Sequence, residues 1–350
     1  MASSNEDRHP VPTIPRNGSQ PPAGRANTWS TSDRMLIVDS NGEIKPLNHR
    51  FASTWKVPHA GKIMPLNQRF ARMWEIPRSV LTRLEEENTL RHALEADEFI
   101  VYYQPQFSVE TGRIVGAEAL VRWQDPSRGL VLPDDFIPLA EETGAIVPLG
   151  EWVLRTACAQ NKRWQDQDLS PITVAVNVSP RQFREPTLLP MIEDALTGSG
   201  LDPKWLELEI TETIAMQSVD LSASIMRNLA QIGSRVSIDD FGSGYSSLGY
   251  LKKFALHTLK IDQSFVRGVA TEPNDAAIAE AILALANALD LEVVAEGVET
   301  DDQLSFFSER KCHRVQGFHL GKPMTAGDFT PLLKRPVDSG GTGSSAANSR

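Results

Sequence analysis

Cysteine is nearly absent from this chain. Cys158 and Cys312 are the only two among 350 residues, and no CxxC spacing occurs, so neither a disulfide framework nor a thiolate zinc site is expected. Long apolar runs are absent too. No stretch approaches the roughly 20 residues a membrane-spanning helix needs, and the opening MASSNEDRHPVP lacks the apolar segment of a secretion signal. Basic clusters are missing, and the net charge is −10, which makes nucleic-acid polymers and anionic membranes poor partners. A small phosphodiester stays open as a ligand if divalent cations bridge it to the protein. A soluble cytoplasmic protein is the expectation from these absences.

What is present is enough for a full core. Apolar residues make up 41% of the chain, with room for one domain of about 250 residues and a smaller appendage. Residues 1–33 are rich in Pro, Ser, Asn, Gly and charge and read as a disordered leader. Residues 34–79 carry a tandem repeat: GEIKPLNHRFASTWKVPHA (42–60) is followed at once by GKIMPLNQRFARMWEIPRS (61–79), with 10 identities in 19 positions. The preceding MLIVDSNGEI reads as a hairpin turning at Asn41-Gly42. Apolar positions in 78–95 suggest a connecting helix. Short strand-like runs then alternate with helix-period segments through to about residue 335, which argues for parallel pairing. The first two runs, FIVYYQ (99–104) and IVGAEALVRW (114–123), are joined by a short turn at Glu110-Thr111-Gly112, so one antiparallel element is expected there. The barrel region, with its leading helix, is placed at 80–335, and 336–350 read as a disordered, low-complexity tail.

Several strand-like runs end in a carboxylate, amide or amine: Glu118, Asn177, Glu209, Asp239 with Asp240, Lys260 and Glu296. Strand alternation decides which of these face inward. In LELEIT, Leu206, Leu208 and Ile210 share one face, while Glu207, Glu209 and Thr211 share the other. In VAVNVS the valines pack outward and Asn177 faces in; in TLKID, Lys260 and Asp262 face in. A single such residue is most simply an ion pair or a helix cap. Six strands delivering them to one barrel mouth form a different pattern, the one expected of a site at the carboxyl ends of barrel strands. Crowded carboxylates need hard divalent cations, so Mg²⁺ or Mn²⁺ is the natural expectation.

These runs closely resemble the EAL domain family, the cyclic di-GMP phosphodiesterases of bacteria. The resemblance covers roughly residues 88 to 335. It rests on YYQPQ (102–106), EALVRW (118–123), NVSPRQF (177–183), EITET (209–213), DDFGSGYSSL (239–248), LKID (259–262), AEGVET (295–300) and QGF (316–318). Ser243 departs from the family's usual Thr, and His319-Leu320-Gly321 departs from its usual C-terminal segment. The run VDSNGEIKPLNHRFASTWKVP (38–58) also looks like the opening of a PAS sensory domain. Fewer than 50 residues stand where about 100 would be needed, so this reads as a truncated, partly duplicated remnant.

The resemblance implies a modified TIM (β/α)8 barrel with one antiparallel strand, preceded by a small irregular N-terminal region. It implies hydrolysis of cyclic di-GMP to linear 5′-pGpG with two Mg²⁺ or Mn²⁺ ions. Glu118, Asn177, Glu209, Asp239, Asp240 and Glu296 would be the metal ligands, with Asp239 bridging the two ions. Lys260 and Glu296 would be catalytic, and Lys260 beside two cations should have a depressed pKa. Gln104, Leu120, Arg122, Asp262 and Gln316 would contact substrate. Glu212 would anchor the loop at 242–247 that follows the two aspartates, and the barrel would form a homodimer. Plainer readings stand beside these roles: an Arg122–Asp125 ion pair, Lys260 as counter-ion to Asp239 or Asp262, Gln104 and Gln316 as buried hydrogen-bonding amides, and Glu212 as an ordinary residue of a helix N-terminus. A cyclic di-GMP receptor without turnover, or an interaction protein, is the alternative function.

Overall fold

A computed structural model describes three strand backbones near the N-terminus and residues 89–242 and 248–334; all structural statements concern these residues. The N-terminal strands β1 (Asn27–Thr31), β2 (Arg34–Val38) and β3 (Ile44–Pro46) pair antiparallel in the order β1-β2-β3, with Asn27 opposite Val38 and Val38 opposite Ile44. The β2–β3 pair is the expected hairpin, whereas β1 lies inside the span expected to be a leader. The 42–79 repeat, apart from the Ile44–Pro46 strand, and the tail from 336 lie outside the described residues, as do the Asn41-Gly42 turn and most of the expected connecting helix, whose described part is helical over 89–95. This N-terminal unit and the larger one beyond residue 82 are separate compact bodies.

The larger unit is a closed barrel. Its eight strands are β4 (Phe99–Ser108), β5 (Ile114–Asp125), β7 (Thr173–Asn177), β8 (Leu206–Thr211), β9 (Arg235–Phe241), β10 (Thr258–Ile261), β11 (Glu292–Glu296) and β12 (Arg314–Gln316). Neighbours run β4-β12-β11-β10-β9-β8-β7-β5, and a β4–β5 pairing closes the ring. The strands from β5 round to β12 are parallel, but β4 is antiparallel to both β5 and β12. The short strands β6 (Gly129–Val131) and β13 (Met324–Thr325) extend β5 and β4 at their outer edges. This is the expected modified TIM barrel, with its reversed strand at the expected hairpin.

Alternation along each strand separates two environments. Leu206, Leu208, Ile210, Val174, Leu259 and Ile261 are almost fully buried in the main apolar core, which lies between the barrel wall and the surrounding helices. Burying each such side chain contributes about 1.5–3 kcal/mol. Helices of that outer layer stop where glycine takes a left-handed conformation, at Gly200 (φ 72°) and Gly233 (φ 97°), and the chain turns back into the next strand. The interior positions are polar: Gln106, Glu207, Thr258 and Arg314 lie deep, with Glu118, Glu209, Lys260 and Gln316 towards the mouth, all buried.

β4 and β5 overshoot the other strands. β5 pairs with β7 only from Gly116 to Ala119, yet it continues to Asp125 alongside β4 and β6. The projecting lip carries a second apolar cluster, in which Phe99, Trp123 and Phe136 pack with Leu90, Ala93 and Leu149. The lip therefore fixes the 89–95 helix above one side of the barrel mouth.

Candidate functional site

At the carboxyl ends of the parallel strands, one lysine holds a ring of acids. Lys260 on β10 is 1% exposed, and its Nζ lies 2.7 Å from Glu296, 2.8 Å from Glu209, 3.1 Å from Asp239 and 4.0 Å from Glu118. These acids come from β11, β8, β9 and β5, so four further strands converge on the β10 lysine, with Glu209 and Lys260 on the inward faces that alternation gave them. Asn177 at the end of β7 joins them, its Nδ2 donating to Glu118 Oε1 at 2.7 Å.

Asp239 and Asp240 are consecutive, and strict alternation would send them to opposite faces. The backbone resolves this with a left-handed residue: Asp240 has φ 53°, a conformation that Asp tolerates better than most residues. The β9–β10 register slips at this point, with Ile238 opposite Leu259 but Phe241 opposite Ile261. The extra residue is a bulge that re-aims a side chain. As a result, carboxylate oxygens of Asp239, Asp240 and Glu296 all lie within 4.8 Å of one another.

The electrostatics follow from crowding. Burial raises the Glu209 carboxyl well above its ordinary range; the Lys260 charge opposes this, and Glu118, Asp239 and Glu296 reinforce it. Burial and the charges of Asp239 and Glu118 push Glu296 up to about 8 against the pull of Lys260. Burial, Asp239 and a hydrogen bond to Asp262 push Asp240 up to about 6. For Lys260, burial alone would lower the ammonium's pKa, but Asp239, Glu118, Glu209 and Glu296 outweigh it and hold the group well above its usual value. The depressed pKa expected for Lys260 concerns the site with two cations beside it; with the carboxylates alone facing the ammonium, its pKa is raised. In this arrangement Lys260 is the counter-ion of the acidic ring.

The other expected residues fall into four groups. Gln104 and Gln316 belong to the ring's outer contacts: Gln316 Nε2 donates to Glu118 Oε2 at 2.6 Å and to Gln104 Oε1 at 3.1 Å. Leu120 and Arg122 lie further along β5 towards the lip. Arg122 Nη1 reaches the Val121 carbonyl at 2.8 Å, and its guanidinium sits 5.6 Å from the Tyr102 ring centre. It does not pair with Asp125, which is held by Ser127 and by Arg128 at 2.7 Å. Asp262 caps the helix Gln263–Gly268, accepting from Ser264 N at 2.8 Å.

Glu212 opens the helix Glu212–Gln217 and is buried, and its Oε2 accepts from Gly242 N at 3.0 Å. It therefore grips the first residue of the 242–247 loop; the remainder of that loop lies outside the described residues.

Alternation, applied further, would have found a deeper polar layer that sequence reasoning passed over. Gln106 stands two residues beyond Gln104 on β4, and Arg314 two before Gln316 on β12, so each shares its partner's inward face. Arg314 Nη1 donates to Gln106 Oε1 at 2.9 Å and to Glu207 Oε2 at 3.1 Å, and Nη2 donates to Thr258 Oγ1 at 2.9 Å. Thr258 in turn donates to Glu207. Below this layer a cavity of about 910 Å³ opens at the opposite end of the barrel, lined in part by Arg235, Glu292, His313 and Arg314.

Residues 87–323 match the EAL domain family. The chain is 45% identical over 244 residues to the bifunctional diguanylate cyclase/cyclic di-GMP phosphodiesterase MucR of Pseudomonas aeruginosa, covering 70% of this chain and 36% of that protein. It is 39% identical over 249 residues to the cyclic di-GMP phosphodiesterase PdeR of Escherichia coli, covering 71% of this chain and 37% of that protein. The chain thus spans about a third of the length of these curated relatives. Among solved structures, the MucR phosphodiesterase in complex with c-di-GMP superposes with a TM-score of 0.68 at 44% identity, over 70% of this chain and 99% of that one.

Proposed function

Since the chain belongs to the EAL domain family, we propose that it hydrolyses one phosphodiester bond of cyclic di-GMP to linear 5′-pGpG, using two divalent ions, Mg²⁺ or Mn²⁺. The observation that carries this reading is the charge imbalance at the mouth. Glu118, Glu209, Asp239, Asp240 and Glu296 converge there on the single ammonium of Lys260. A dry cluster of acids with one cation favours protonation, as the upward shifts of Glu209, Glu296 and Asp240 indicate. Hard cations would favour the ionised forms of these three, and the donor set fits such ions: carboxylate oxygens and one amide oxygen, with no sulfur or imidazole. Glu118, Asn177, Glu209 and Asp239 would hold one ion, and Asp239, Asp240 and Glu296 the other.

Bound there, such ions supply charge neutralisation for the phosphate and a lowered pKa for an attacking water. The chain's own residues do the rest. Arg122, placed on the lip and not engaged with Asp125, can fork onto a phosphate oxygen. Gln104, Leu120, Asp262 and Gln316 line the approach to the acids. Lys260 Nζ, central among the ligands, orients the attacking water. The new P–O bond forms from that water, the bond from phosphorus to the ribose 3′ oxygen breaks, and the departing oxygen leaves as a hydroxyl.

The test is incubation of the purified chain with cyclic di-GMP and Mg²⁺ or Mn²⁺, following pGpG by chromatography, with Glu118→Ala and Glu209→Ala alongside. Metal-dependent pGpG from the wild type, lost in both variants by more than the roughly 100-fold that outer contacts cost, is the expected result. Binding of the dinucleotide without product would make the chain a receptor. Activity retained in either variant would remove that residue from the ligand set.

A further inference from the structure

We propose that Arg314, deep in the barrel, is a positioning residue for the metal ligand Glu118, acting through a directed chain of amides formed by Gln106 and Gln316. The inference rests on the reading of Glu118 as a ligand.

An arginine can only donate hydrogen bonds, so the amide facing it must present oxygen. Arg314 Nη1 meets Gln106 Oε1 at 2.9 Å, which turns the Gln106 amide nitrogen towards β12. That nitrogen donates to Gln316 Oε1 at 3.0 Å, and so the Gln316 nitrogen faces Glu118 Oε2 at 2.6 Å and Gln104 Oε1 at 3.1 Å. Gln104 is fixed in the same sense, its Nε2 donating to the Gly321 carbonyl at 3.2 Å. Donor leads to acceptor at every link from Arg314 to Glu118, and such chains reinforce each member. The other Glu118 oxygen is held by Asn177, so the two amides together set the plane of the carboxylate.

Without Arg314, the sense of the amide chain is set from its Glu118 end alone, where the acceptor-only carboxylate faces the Gln316 nitrogen, and nothing at the deep end opposes a flip of Gln106. The flipped amide would set oxygen against oxygen at Gln316, and relieving that contact would turn Gln316 away from Glu118.

The structure also shows how much room the chain of amides has. Gly116 lies directly across from Gln106 in the β4–β5 pair, and a Cβ added there would stand 2.5 Å from Gln106 Oε1. Gly116 has no positive φ, so the strand backbone accepts alanine readily and the conflict falls on the Gln106 amide alone. This glycine is the notch that lets the amide reach Arg314.

Arg314 also pairs with Glu207 and with Glu292, so a purely structural role has to be separated from positioning. The experiment measures Mn²⁺ affinity by calorimetry on the full chain, together with kcat, KM and melting temperature, for Arg314→Met, Arg314→Lys and Gly116→Ala. Arg314→Met and Gly116→Ala should each weaken Mn²⁺ binding about 10-fold or more, the scale for partners that orient a ligand, and lower kcat. Lysine can donate to Gln106 but cannot fork onto Glu207, so Arg314→Lys should recover Mn²⁺ affinity more fully than it recovers melting temperature. Gly116→Ala keeps the Arg314–Glu207 pair and stays informative if Arg314→Met does not fold. Wild-type Mn²⁺ affinity in Gly116→Ala, or recovery of affinity and stability strictly in parallel in Arg314→Lys, overturns the proposal. Because the readout is metal binding, a wild-type chain that binds Mn²⁺ but yields no pGpG would overturn the catalytic reading and leave this one standing.

Discussion

Replacing Glu207 by alanine should lower the melting temperature of the full chain far more than replacing Glu292, although both carboxylates hold the same arginine. Glu207 is 1% exposed, and Glu292 is 42% exposed. Burial would raise the pKa of the Glu207 carboxyl, but the guanidiniums of Arg314 and Arg235 and the Thr258 hydroxyl outweigh it and keep the group ionised. Removing it leaves Arg314, itself 6% exposed, with its buried partner gone and only the half-exposed Glu292 to balance its charge. Breaking one side of a buried pair costs about 3–5 kcal/mol. At roughly 2–4 °C per kcal/mol for a domain of this size, the loss is about 6–20 °C. Glu292 meets Arg314 and Arg235, each at 2.9 Å, from the solvent side. A partner so exposed, whose removal leaves Arg314 its buried Glu207 contact, contributes about 1 kcal/mol or less, hence at most about 4 °C. Thermal unfolding followed by circular dichroism, at matched ionic strength, makes the comparison. Equal shifts for the two variants, or a Glu207→Ala shift of only about 2 °C, would refute the assignment of the interior to buried charge pairing.

Three further outcomes follow from the mouth of the barrel. Lys260→Met should cut turnover by about 10²-fold if its Nζ orients the attacking water. It should also destabilise the metal-free protein and make its melting temperature rise more steeply with added Mn²⁺ than in the wild type, since the acids lose their shared cation; an unchanged Mn²⁺ response would mean Lys260 does not compete with the ions. Glu212→Ala removes the acceptor of Gly242 N and should lower kcat about 10-fold with an unaltered circular dichroism spectrum, whereas wild-type kinetics would show that the loop needs no anchor. Arg122→Lys should raise KM about 10-fold with kcat within about twofold, the pattern of lost substrate binding; an unaffected KM would take Arg122 out of the phosphate site.

Much of this geometry was legible as alternation. The leucines of LELEIT and the valines of VAVNVS went to the outer core, and Asn177, Glu209 and Lys260 went inward, because a period of two leaves a closed sheet no other choice. Three features were not legible this way. Asp239 and Asp240 reach the same site only through the left-handed conformation of Asp240, a backbone detail that two adjacent aspartates do not announce. The direction of the Lys260 shift depends on how many carboxylates lie within about 4 Å, a property of three dimensions. Gln106 and Arg314 obey the period but carry no motif of their own, so only their contacts single them out.

The reversed strand β4 has a consequence for how the barrel is wired to whatever precedes it in the chain. In a barrel whose strands are all parallel, the polypeptide enters at the closed end, remote from the chemistry. Here the first strand runs from the rim downward: Phe99 stands opposite Trp123 on the lip, Gln104 opposite Glu118, and Ser108 opposite Arg314 at the floor. The polypeptide therefore joins the barrel at its open rim, through the 89–95 helix, whose Leu90 and Ala93 share an apolar cluster with Trp123, one residue from Arg122. A tug, a twist or a docking event transmitted along the upstream backbone arrives first at the edge of the reaction chamber, with no need to cross the rigid body of the fold. Reversing one strand has moved the handle of the barrel from its base to its mouth.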